Sequence, residues 1–457
     1  MEHTVLVLGA GGSGIHASDF LLSQGKSVVL YDGNTKLDPE EIGKKIKGEV
    51  KIVLGDLPED LLENVEYAVI SPGIPTDIPL VLGIKAAGIK VLSEIELAWL
   101  YERGTVIGIT GTNGKTTTVT LVGDIMKAAC GEEKAFTVGN IGTPYTEKVS
   151  LTSGDSVTTV ELSSFQLETV DTFHPHVSAI LNITPDHLNR HHTMEAYEEA
   201  KERVAKNQGP EDVIVLNYED ERLRAYGERL REPESTGPKV LWFSGLRALE
   251  DGYFLEGNTL YHAENGERTA LLRTDEVHLV GRCNYENILA AIACADAMKV
   301  PREVTLETVK EFRAVSHRIE FTRTVRGVRY YDDSKGTNPD AAIQGIRAMD
   351  AKTVLIGGGY DKGSEFDDWI REFGDKVKLL ILMGTTARKI ADTAEKYGFK
   401  DIIFVSSMEE AVEKAREAAL PGENVLLSPA CASWDMFKSY EERGDIFKRL
   451  VREMPEE

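Results

Sequence analysis

Gly108-Ile-Thr-Gly111-Thr-Asn-Gly114-Lys115-Thr116-Thr117 is the stretch of sequence that decides the fold. It follows an apolar strand pattern at 106–110 and precedes a helical pattern at 118–129, which predicts a phosphate-binding loop between a strand and a helix. Backbone N–H groups, one lysine and one hydroxyl are what a nucleoside triphosphate and its Mg²⁺ require. Ile109 stands where the strict G-x-x-x-x-G-K-[ST] pattern has its first glycine. The remaining features favour an ATP site.

A second glycine-rich loop, Gly9-Ala-Gly11-Gly-Ser-Gly14, follows an apolar run at 4–8 and opens a helical pattern. Asp32 ends the next predicted strand, 18 residues after Gly14, which is the spacing of a dinucleotide-binding fingerprint. Such a loop presents backbone N–H groups and a helix N-terminus to a diphosphate. An NAD cofactor, another nucleotide-linked substrate and a purely structural glycine turn all fit this pattern.

Glu161 ends a predicted strand at the sheet edge where nucleotide sites of open α/β sheets lie. A carboxylate at that edge can hold Mg²⁺, and the alternative is an ordinary solvated glutamate. Further along, the segment 182–192 contains three histidines but no helical H-E-x-x-H frame, which favours a polar loop over a zinc site.

Lys201 lies one helical turn after Tyr197 on an apolar stripe that includes Ala200 and Val204. This spacing predicts a lysine on or beside the buried face of the helix. Lysines in such positions usually extend their charge to solvent, so a snorkelling side chain is the alternative interpretation.

Composition limits the function classes. The chain has 457 residues with 52 Lys+Arg against 75 Asp+Glu, a formal net charge of −23, which disfavours nucleic acid or an anionic membrane surface as a partner. Its four cysteines show no metal-ligand spacing, and no 18-residue apolar stretch is present. We therefore expect a cytoplasmic protein, a monomer, that acts on small molecules.

The alternation of strand and helix patterns predicts an α/β protein with three domains. We place a Rossmann-like domain at 1–97, a central P-loop ATPase-like mixed α/β domain at 98–314, and a second Rossmann-like domain at 315–457. In the third domain, polar motifs follow the predicted strands and suit a further anionic ligand.

Together these motifs resemble those of the Mur ligases, ATP-dependent amide-forming enzymes of peptidoglycan precursor synthesis. The shared motifs are Gly111–Thr116, Asn182–His187, His317-Arg318 and Asp333–Lys335. The segments 161–166 and 428–433 narrow the resemblance to members that add D-glutamate to UDP-N-acetylmuramoyl-L-alanine. It covers essentially the whole chain and implies the three-domain Mur ligase architecture, an acyl-phosphate intermediate, ATP and two Mg²⁺ ions.

The resemblance also implies a role for individual residues. The residues implied for catalysis are Lys115, His187, Lys201 and Lys335. Those implied for ATP are Gly111, Thr112, Asn113, Gly114, Lys115, Thr116, Thr117, Asn284, Asn287, Arg318 and Asp333. Those implied for Mg²⁺ are Thr116, Glu161, His187 and Lys201, the last carbamylated by CO₂. Those implied for the UDP-linked substrate are Ser13, Asp32, Ser71, Asn140, Gln166 and His187. Those implied for the incoming amino acid are Thr337, Lys362, Ser433 and Tyr440.

The chain departs from the family pattern at three points. Cys283 stands where the family has histidine, and Trp434 and Tyr440 stand where leucine and phenylalanine are expected. The last two lie beside the implied amino-acid pocket, so they bear on selectivity for D-glutamate.

Three other functions remain to be weighed. An NAD-dependent oxidoreductase leaves the Gly-Lys-Thr loop unexplained, and a nucleotide-binding switch needs no amino-acid pocket. A folylpolyglutamate synthetase does not require the first glycine loop.

Overall fold

The computed structural model describes residues 4–140 and 142–455. By internal contacts the chain divides into two compact units, one formed by 1–271 and 287–309 and the other by 272–286 and 310–457. Among the described residues, no helix is both long enough and apolar enough to span a membrane.

The first unit begins with a five-stranded parallel sheet in the order β3-β2-β1-β4-β5. Its strands are β1 (Thr4–Leu8), β2 (Ser27–Asp32), β3 (Lys51–Leu54), β4 (Val65–Ile70) and β5 (Lys90–Ser93). Its helices are α1 (Gly12–Ser23), α2 (Pro39–Gly43), α3 (Pro79–Ala86) and α4 (Glu94–Trp99).

Strand β1 shows why this sheet is parallel and covered on both faces. Val5 and Val7 pack into one hydrophobic cluster and Leu6 and Leu8 into another, and all four side chains are fully buried. Alternate residues of a strand point to opposite faces, so a continuous apolar run requires cover on both.

The same unit contains most of a nine-stranded sheet in the order β14-β13-β12-β11-β10-β9-β6-β8-β7. Its strands are β6 (Thr105–Thr110), β7 (Ala135–Gly139), β8 (Val157–Glu161), β9 (Val177–Ile180), β10 (Val213–Asn217), β11 (Lys239–Ser244), β12 (Gly252–Glu256), β13 (Thr259–Glu264) and β14 (Glu267–Arg273). The run from β7 to β12 is parallel, and β12 pairs with β13 as an antiparallel hairpin. The accompanying helices are α5 (Lys115–Cys130), α6 (Tyr145–Lys148), α7 (Ser164–Leu167), α8 (Leu188–His191), α9 (Met194–Glu202), α10 (Glu221–Leu230), α11 (Arg282–Ala297) and α12 (Arg302–Glu311).

Helix α4 joins the two sheets of the first unit through buried carboxylates. Glu94 accepts hydrogen bonds from the backbone N–H and hydroxyl of Thr146, and Glu96 accepts from backbone N–H groups of the segment 171–173. Burial raises the pKa of Glu94 because it disfavours the charged form. Backbone donors thus satisfy the carboxylates that connect the five-stranded sheet to the nine-stranded sheet.

The second unit contains a six-stranded sheet in the order β15-β16-β20-β17-β18-β19, in which only the β15–β16 pair is antiparallel. Its strands are β15 (Glu320–Val325), β16 (Val328–Asp332), β17 (Thr353–Gly357), β18 (Val377–Leu382), β19 (Ile402–Phe404) and β20 (Asn424–Leu427). Its helices are α13 (Pro339–Ala348), α14 (Asp367–Arg371), α15 (Ala387–Lys396), α16 (Met408–Ala418) and α17 (Tyr440–Glu453). The boundary between the units falls inside α11, between Glu286 and Asn287.

Candidate active site

The predicted phosphate-binding loop, residues 111–114, connects the end of β6 to the start of α5. We call it the phosphate-type loop. Gly114 adopts φ of 84° immediately before the helix, a conformation that L side chains rarely adopt. A Cβ atom there would lie 2.3 Å from Oδ1 of Asn287. The glycine therefore allows the loop to lie against Asn287, one of the residues implied for ATP.

Asn182, at the end of β9, fixes the first half of this loop. Its backbone carbonyl accepts from the N–H of Thr112 (2.9 Å), its side-chain oxygen accepts from the N–H of Asn113 (2.8 Å), and its amide nitrogen donates to the carbonyl of Asn113 (3.1 Å). The sequence places Asn182 at the start of the shared motif Asn182–His187, but we predicted no role for it. These contacts make it the residue that shapes the loop.

Two lysines meet at the same carbonyl oxygen of the loop. Nζ of Lys115 donates to the carbonyls of Gly111 and Thr112, each at 2.8 Å, and Nζ of Lys201 donates to the carbonyl of Gly111 at 2.8 Å. Lys201 is fully buried rather than snorkelling, with Nζ 4.5 Å from the ring centroid of Tyr197. Burial, together with the nearby charge of Lys115, holds the pKa of Lys201 well below its usual value.

Glu161 ends β8, which pairs directly with β6, so its carboxylate lies at the loop end of the sheet. Its Oε1 accepts from the side-chain amide of Asn140 at 3.0 Å, and the backbone N–H of Asn140 donates to its carbonyl at 2.9 Å. Its Oε2 is buried and has no hydrogen-bond partner among the residues that the structure describes. A buried carboxylate oxygen without a donor is the arrangement that a divalent cation completes.

His187 adopts a left-handed backbone conformation (φ 54°) just before α8, and its half-exposed ring lies 4.9 Å from that of Phe165. The three histidines of this segment are held by different partners: His187 lies near Asp186, His191 bonds Oγ of Ser164, and His192 bonds Asp77.

In residues 4–140 and 142–455, the one group of metal-ligating type is His317, Glu320 and Asp332. The ammonium of Lys448 already lies 2.9 Å from Glu320 Oε2 and 3.9 Å from Asp332 Oδ2.

The first glycine loop is held by its own neighbours. Oδ2 of Asp32 accepts from the N–H of Ala10 at 2.9 Å, and the hydroxyl of Ser71 lies 3.4 Å from the carbonyl of Gly9. A Cβ at Gly14 would lie 1.8 Å from that carbonyl, which only glycine allows. The structure thus brings together the loop, Asp32 and Ser71, with Ser13 in the first turn of α1.

Gln166 has a structural contact that the motif did not indicate. Its side-chain oxygen accepts from the N–H and hydroxyl of Ser163, which completes a capping box at the start of α7. Its carbonyl oxygen is thereby occupied.

Three residues implied for the nucleotide belong to the second unit. Asn284 lies on α11, Arg318 just before β15 and Asp333 just after β16. Asp333 is buried, accepts from the hydroxyl of Ser428 at 2.7 Å, and has its pKa raised by burial to about 7, an effect that the charge of Arg318 opposes. Asn284 donates its side-chain amide to the carbonyl of Val280 at 2.8 Å. Asp332, next to Asp333, bonds the ring of His317 at 2.7 Å.

Arg443, on α17, connects two loops of the second unit that carry implied amino-acid and catalytic residues. Its guanidinium donates to the carbonyl of Ser334 at 2.8 Å and to the carbonyls of Cys431 and Ala432 at 3.1 and 3.3 Å. We did not predict this arginine, because an arginine on a polar helix gives no sequence signal that it is buried. The contacts fix the loop after β16 beside the loop after β20.

Of the residues implied for the incoming amino acid, Thr337 and Ser433 lie on these loops, Lys362 follows β17, and Tyr440 begins α17. Nζ of Lys335 is 5.6 Å from the ring centroid of Tyr440, and Nζ of Lys362 is 5.7 Å from that of Trp434. Ser433 is buried, whereas Trp434 is 64% exposed. Thr337 lies on the loop after β16, where its N–H donates to the carbonyl of Lys335.

Comparison with known families gives three matches along the chain. Residues 3–93 match the model described as Mur ligase MurD-like, N-terminal domain. Residues 109–295 match Mur ligase middle domain, and residues 317–431 match Mur ligase, glutamate ligase domain.

Relatives of similar length carry one name. UDP-N-acetylmuramoylalanine--D-glutamate ligase of Lachnoclostridium phytofermentans is 52% identical over 99% of this chain and 98% of its own. The protein of the same name from Lachnospira eligens is 52% identical over 99% of both chains.

Solved structures with low sequence identity share the fold. UDP-N-acetylmuramate-alanine ligase from Thermotoga maritima superposes with a TM-score of 0.59 at 18% identity, over 98% of this chain and 99% of its own. A pseudomurein peptide ligase type C from Methanothermus fervidus gives a TM-score of 0.60 at 17% identity, over 99% and 100%. With family models matching all three parts of the sequence and full-length relatives at 52% identity, this chain belongs to the Mur ligase family.

Proposed function

We propose that the protein is an ATP-dependent ligase that adds D-glutamate to UDP-N-acetylmuramoyl-L-alanine through an acyl-phosphate intermediate, in peptidoglycan precursor synthesis. The observation that carries the proposal is the meeting of Lys115 and Lys201 at one carbonyl of the phosphate-type loop, with the unpartnered oxygen of Glu161 on the neighbouring strand. The full-length relatives at 52% identity carry the name of this activity.

The first chemical step joins two anions. A carboxylate oxygen of the muramoyl-alanine substrate attacks the γ-phosphorus of ATP, the bond to the bridging oxygen breaks, and ADP leaves. Lys115 stabilises the charge that develops on the phosphoryl oxygens, because a fixed cation in a water-poor site interacts strongly with it. Residues 111–117 would hold the phosphates through backbone N–H groups at the start of α5.

Two Mg²⁺ sites fit the residues of the first unit. The hydroxyl of Thr116 and the free oxygen of Glu161 would hold one ion, and His187 with carbamylated Lys201 would hold the other. When bound, the ions neutralise phosphate charge and orient the γ-phosphoryl group. The unpartnered buried oxygen of Glu161 is the feature of this structure that supports such an ion.

The surroundings of Lys201 support the carbamate that the family resemblance implies. Full burial and the depressed pKa favour the neutral amine, which is the form that attacks CO₂. The neutral amine nitrogen bonds the CO₂ carbon and releases one proton to solvent, so a neutral side chain becomes an anionic oxygen donor. Hard cations such as Mg²⁺ prefer oxygen donors.

The second step adds residues of the second unit to His187 and Asn287 of the first unit. The amine of D-glutamate, deprotonated by His187 or a water, attacks the acyl carbon, and the tetrahedral intermediate expels inorganic phosphate. Lys335 would meet the acyl phosphate, and Thr337, Lys362, Ser433 and Tyr440 would bind D-glutamate. Asn284, Asn287, Arg318 and Asp333 would hold the nucleotide.

The UDP-linked substrate would bind the five-stranded sheet. Gly14 lies in the first turn of α1 against the carbonyl of Gly9, close to Asp32 and Ser71, whereas the N–H of Gly9 itself donates to the carbonyl of Tyr31. Ser13, Asn140, Gln166 and His187 would complete its binding site. We propose that the domains 1–97, 98–314 and 315–457 bind mainly the UDP-linked substrate, ATP and the amino acid, with Asn140, Gln166 and His187 of the central domain also contacting the UDP-linked substrate.

The cytoplasm is the compartment that we propose. The four cysteines are free, which fits a reducing environment.

Phosphate release from ATP tests the proposal. We expect release only when UDP-N-acetylmuramoyl-L-alanine and D-glutamate are both present, with weaker or no release when other amino acids replace D-glutamate. Release without the UDP-linked substrate, or with L-glutamate at an equal rate, would overturn the substrate assignment. Hydride transfer with NAD would instead support an oxidoreductase built on the first glycine loop.

A further inference from the structure

Three segments of the first unit meet at the side chains of Arg190 and Glu168. They are the loop at 71–78 after β4, the end of α7 at Glu168, and the segment 187–192 that carries His187. The first of them includes Ser71, which we propose binds the UDP-linked substrate. The third includes a residue proposed for catalysis.

Arg190 and Glu168 join these segments with directed hydrogen bonds. Nε of Arg190 donates to Oε1 of Glu168 at 3.0 Å, and Nη2 donates to Oε2 at 2.7 Å. The same Nη2 donates to the backbone carbonyl of Ile74 at 3.0 Å, and the hydroxyl of Thr76 donates to Oε2 of Glu168 at 3.2 Å.

This ion pair is shielded from solvent. The side chains of Arg190 and Glu168 are 10% and 14% exposed, and the guanidinium lies 4.8 Å from the ring centroid of Phe165. A two-bond pair between arginine and a carboxylate fixes orientation as well as distance. Such a pair therefore restrains the three segments more tightly than a surface ion pair does.

Arg190 also restrains the backbone of His187. Its own N–H donates to the carbonyl of His187 at 2.9 Å, and the ring of its packing partner Phe165 makes an edge contact with the His187 ring, with the centroids 4.9 Å apart. His187 holds a left-handed conformation (φ 54°) that non-glycine residues rarely adopt. Such a conformation persists where neighbouring contacts fix it.

We propose that Arg190, paired with Glu168, is a positioning residue that fixes His187 relative to the 71–78 loop of the UDP-substrate domain. The pair sets the distance between the site that holds the UDP-linked substrate and the site where its carboxylate reacts. Arg190 touches neither substrate in this role; it acts through His187 and Ile74. The inference rests on the proposed function.

Kinetics of Arg190→Ala, Arg190→Lys and Glu168→Gln test the inference. We expect Arg190→Ala to lower kcat and raise the KM for the UDP-linked substrate, each by about tenfold or more, since small displacements of reacting groups reduce rates strongly. The KM for ATP should change less than the KM for the UDP-linked substrate, because Lys115 bonds the carbonyls of its own loop rather than the pair. Arg190→Lys keeps the charge and one hydrogen bond and recovers part of kcat.

Arg247→Ala is the matched control. Arg247 makes the same two-bond pair with Glu219, at 2.9 and 2.8 Å, in the same unit. We expect its kinetic constants to match those of the wild type. The double variant Arg190→Ala/Glu168→Gln should be no worse than Arg190→Ala alone, because the two residues act as one unit.

Three results would overturn the inference. One is Arg190→Ala kinetics equal to those of Arg247→Ala. Another is a fall in kcat that tracks lost thermal stability while both KM values stay constant, which marks a purely structural pair. The third result applies if Arg190→Ala does not fold. In that case, full activity of both Arg190→Lys and Glu168→Gln would overturn the inference. A wild-type protein that forms no amide overturns the proposed function itself, whereas normal variants of an active wild type overturn only the positioning role.

Discussion

Two buried glutamates of the first unit show how the same burial serves different ends. Glu96 and Glu161 are 1% and 2% exposed. The carboxylate of Glu96 accepts from the N–H groups of Asp171, Thr172 and Phe173 and from the hydroxyl of Thr172. Glu161 accepts from one amide, and its second oxygen has no partner among the described residues.

The two glutamates differ in the groups that compensate the charge of the buried carboxylate. Removing a carboxylate from water is unfavourable unless hydrogen bonds or an opposite charge replace the lost hydration. The protein itself supplies four donors to Glu96, so this residue stabilises the junction between two sheets. At Glu161 the protein leaves one oxygen without a hydrogen bond, near a loop that two lysines contact. We propose that a bound cation supplies the compensating charge there. Burial alone therefore does not distinguish the two glutamates, whereas the number of hydrogen bonds that each accepts does.

Glu161→Gln should have the largest effect on activity. The amide keeps the shape but cannot neutralise a cation, so we expect kcat to fall on the order of 10²–10³-fold. The free energy of unfolding should change by less than about 1 kcal/mol, since Oε2 loses no hydrogen bond. Phosphate release and urea denaturation measure the two effects. A large loss of stability would show that Glu161 resembles Glu96 after all.

Lys115→Ala should come next. The ammonium that now bonds the carbonyls of Gly111 and Thr112 would face the transferred phosphoryl group, so its removal should lower kcat by about 10²-fold. Steady-state kinetics at saturating ATP check this expectation. Near-normal turnover of the variant would contradict a role for Lys115 in phosphoryl transfer.

Lys201→Arg tests the carbamate. Arginine keeps the positive charge but does not react with CO₂, so we expect a loss of about tenfold or more, as for other groups that support a metal. Wild-type protein in CO₂-free buffer should slow similarly and recover when bicarbonate is added. Full activity of the variant without CO₂ would contradict the proposal.

Glu96→Gln should have the smallest effect on activity and a clear effect on stability. Its amide places N–H donors against backbone N–H groups, so we expect unfolding to become easier by about 1–3 kcal/mol. The kcat should stay close to that of the wild type at temperatures where the variant is folded. Thermal unfolding and kinetics on the same sample test the contrast with Glu161.

The sequence predicts most of the strands but misses some, both at the edge and in the interior of a sheet. The strands at 4–8, 51–54 and 424–427 follow from apolar runs next to turn residues, and the loop at 108–117 predicts the β6–α5 connection. We did not predict as strands β7 (Ala135–Gly139), at the edge of the nine-stranded sheet, or β11 (Lys239–Ser244), in its interior. Both are short and rich in apolar residues, and a short apolar run does not by itself distinguish a strand from a helix segment.

Site residues follow the same division. Lys115 and Glu161 can be found from sequence because their position after a strand fixes where they point. Arg190 and Arg443 cannot, since both are arginines in polar helices whose burial depends on contacts distant in sequence. The sequence likewise does not predict the hydrogen bonds to Glu96, because their donors lie more than 70 residues away along the chain.

Isotope transfer from the substrate carboxylate tests the central claim most directly. UDP-N-acetylmuramoyl-L-alanine labelled with ¹⁸O in its carboxylate is incubated with the protein, ATP, Mg²⁺ and D-glutamate, and the released phosphate is analysed by mass spectrometry. If the carboxylate attacks the γ-phosphorus and the amine then expels phosphate, each phosphate carries one ¹⁸O atom. Unlabelled phosphate formed together with the amide would contradict the acyl-phosphate route.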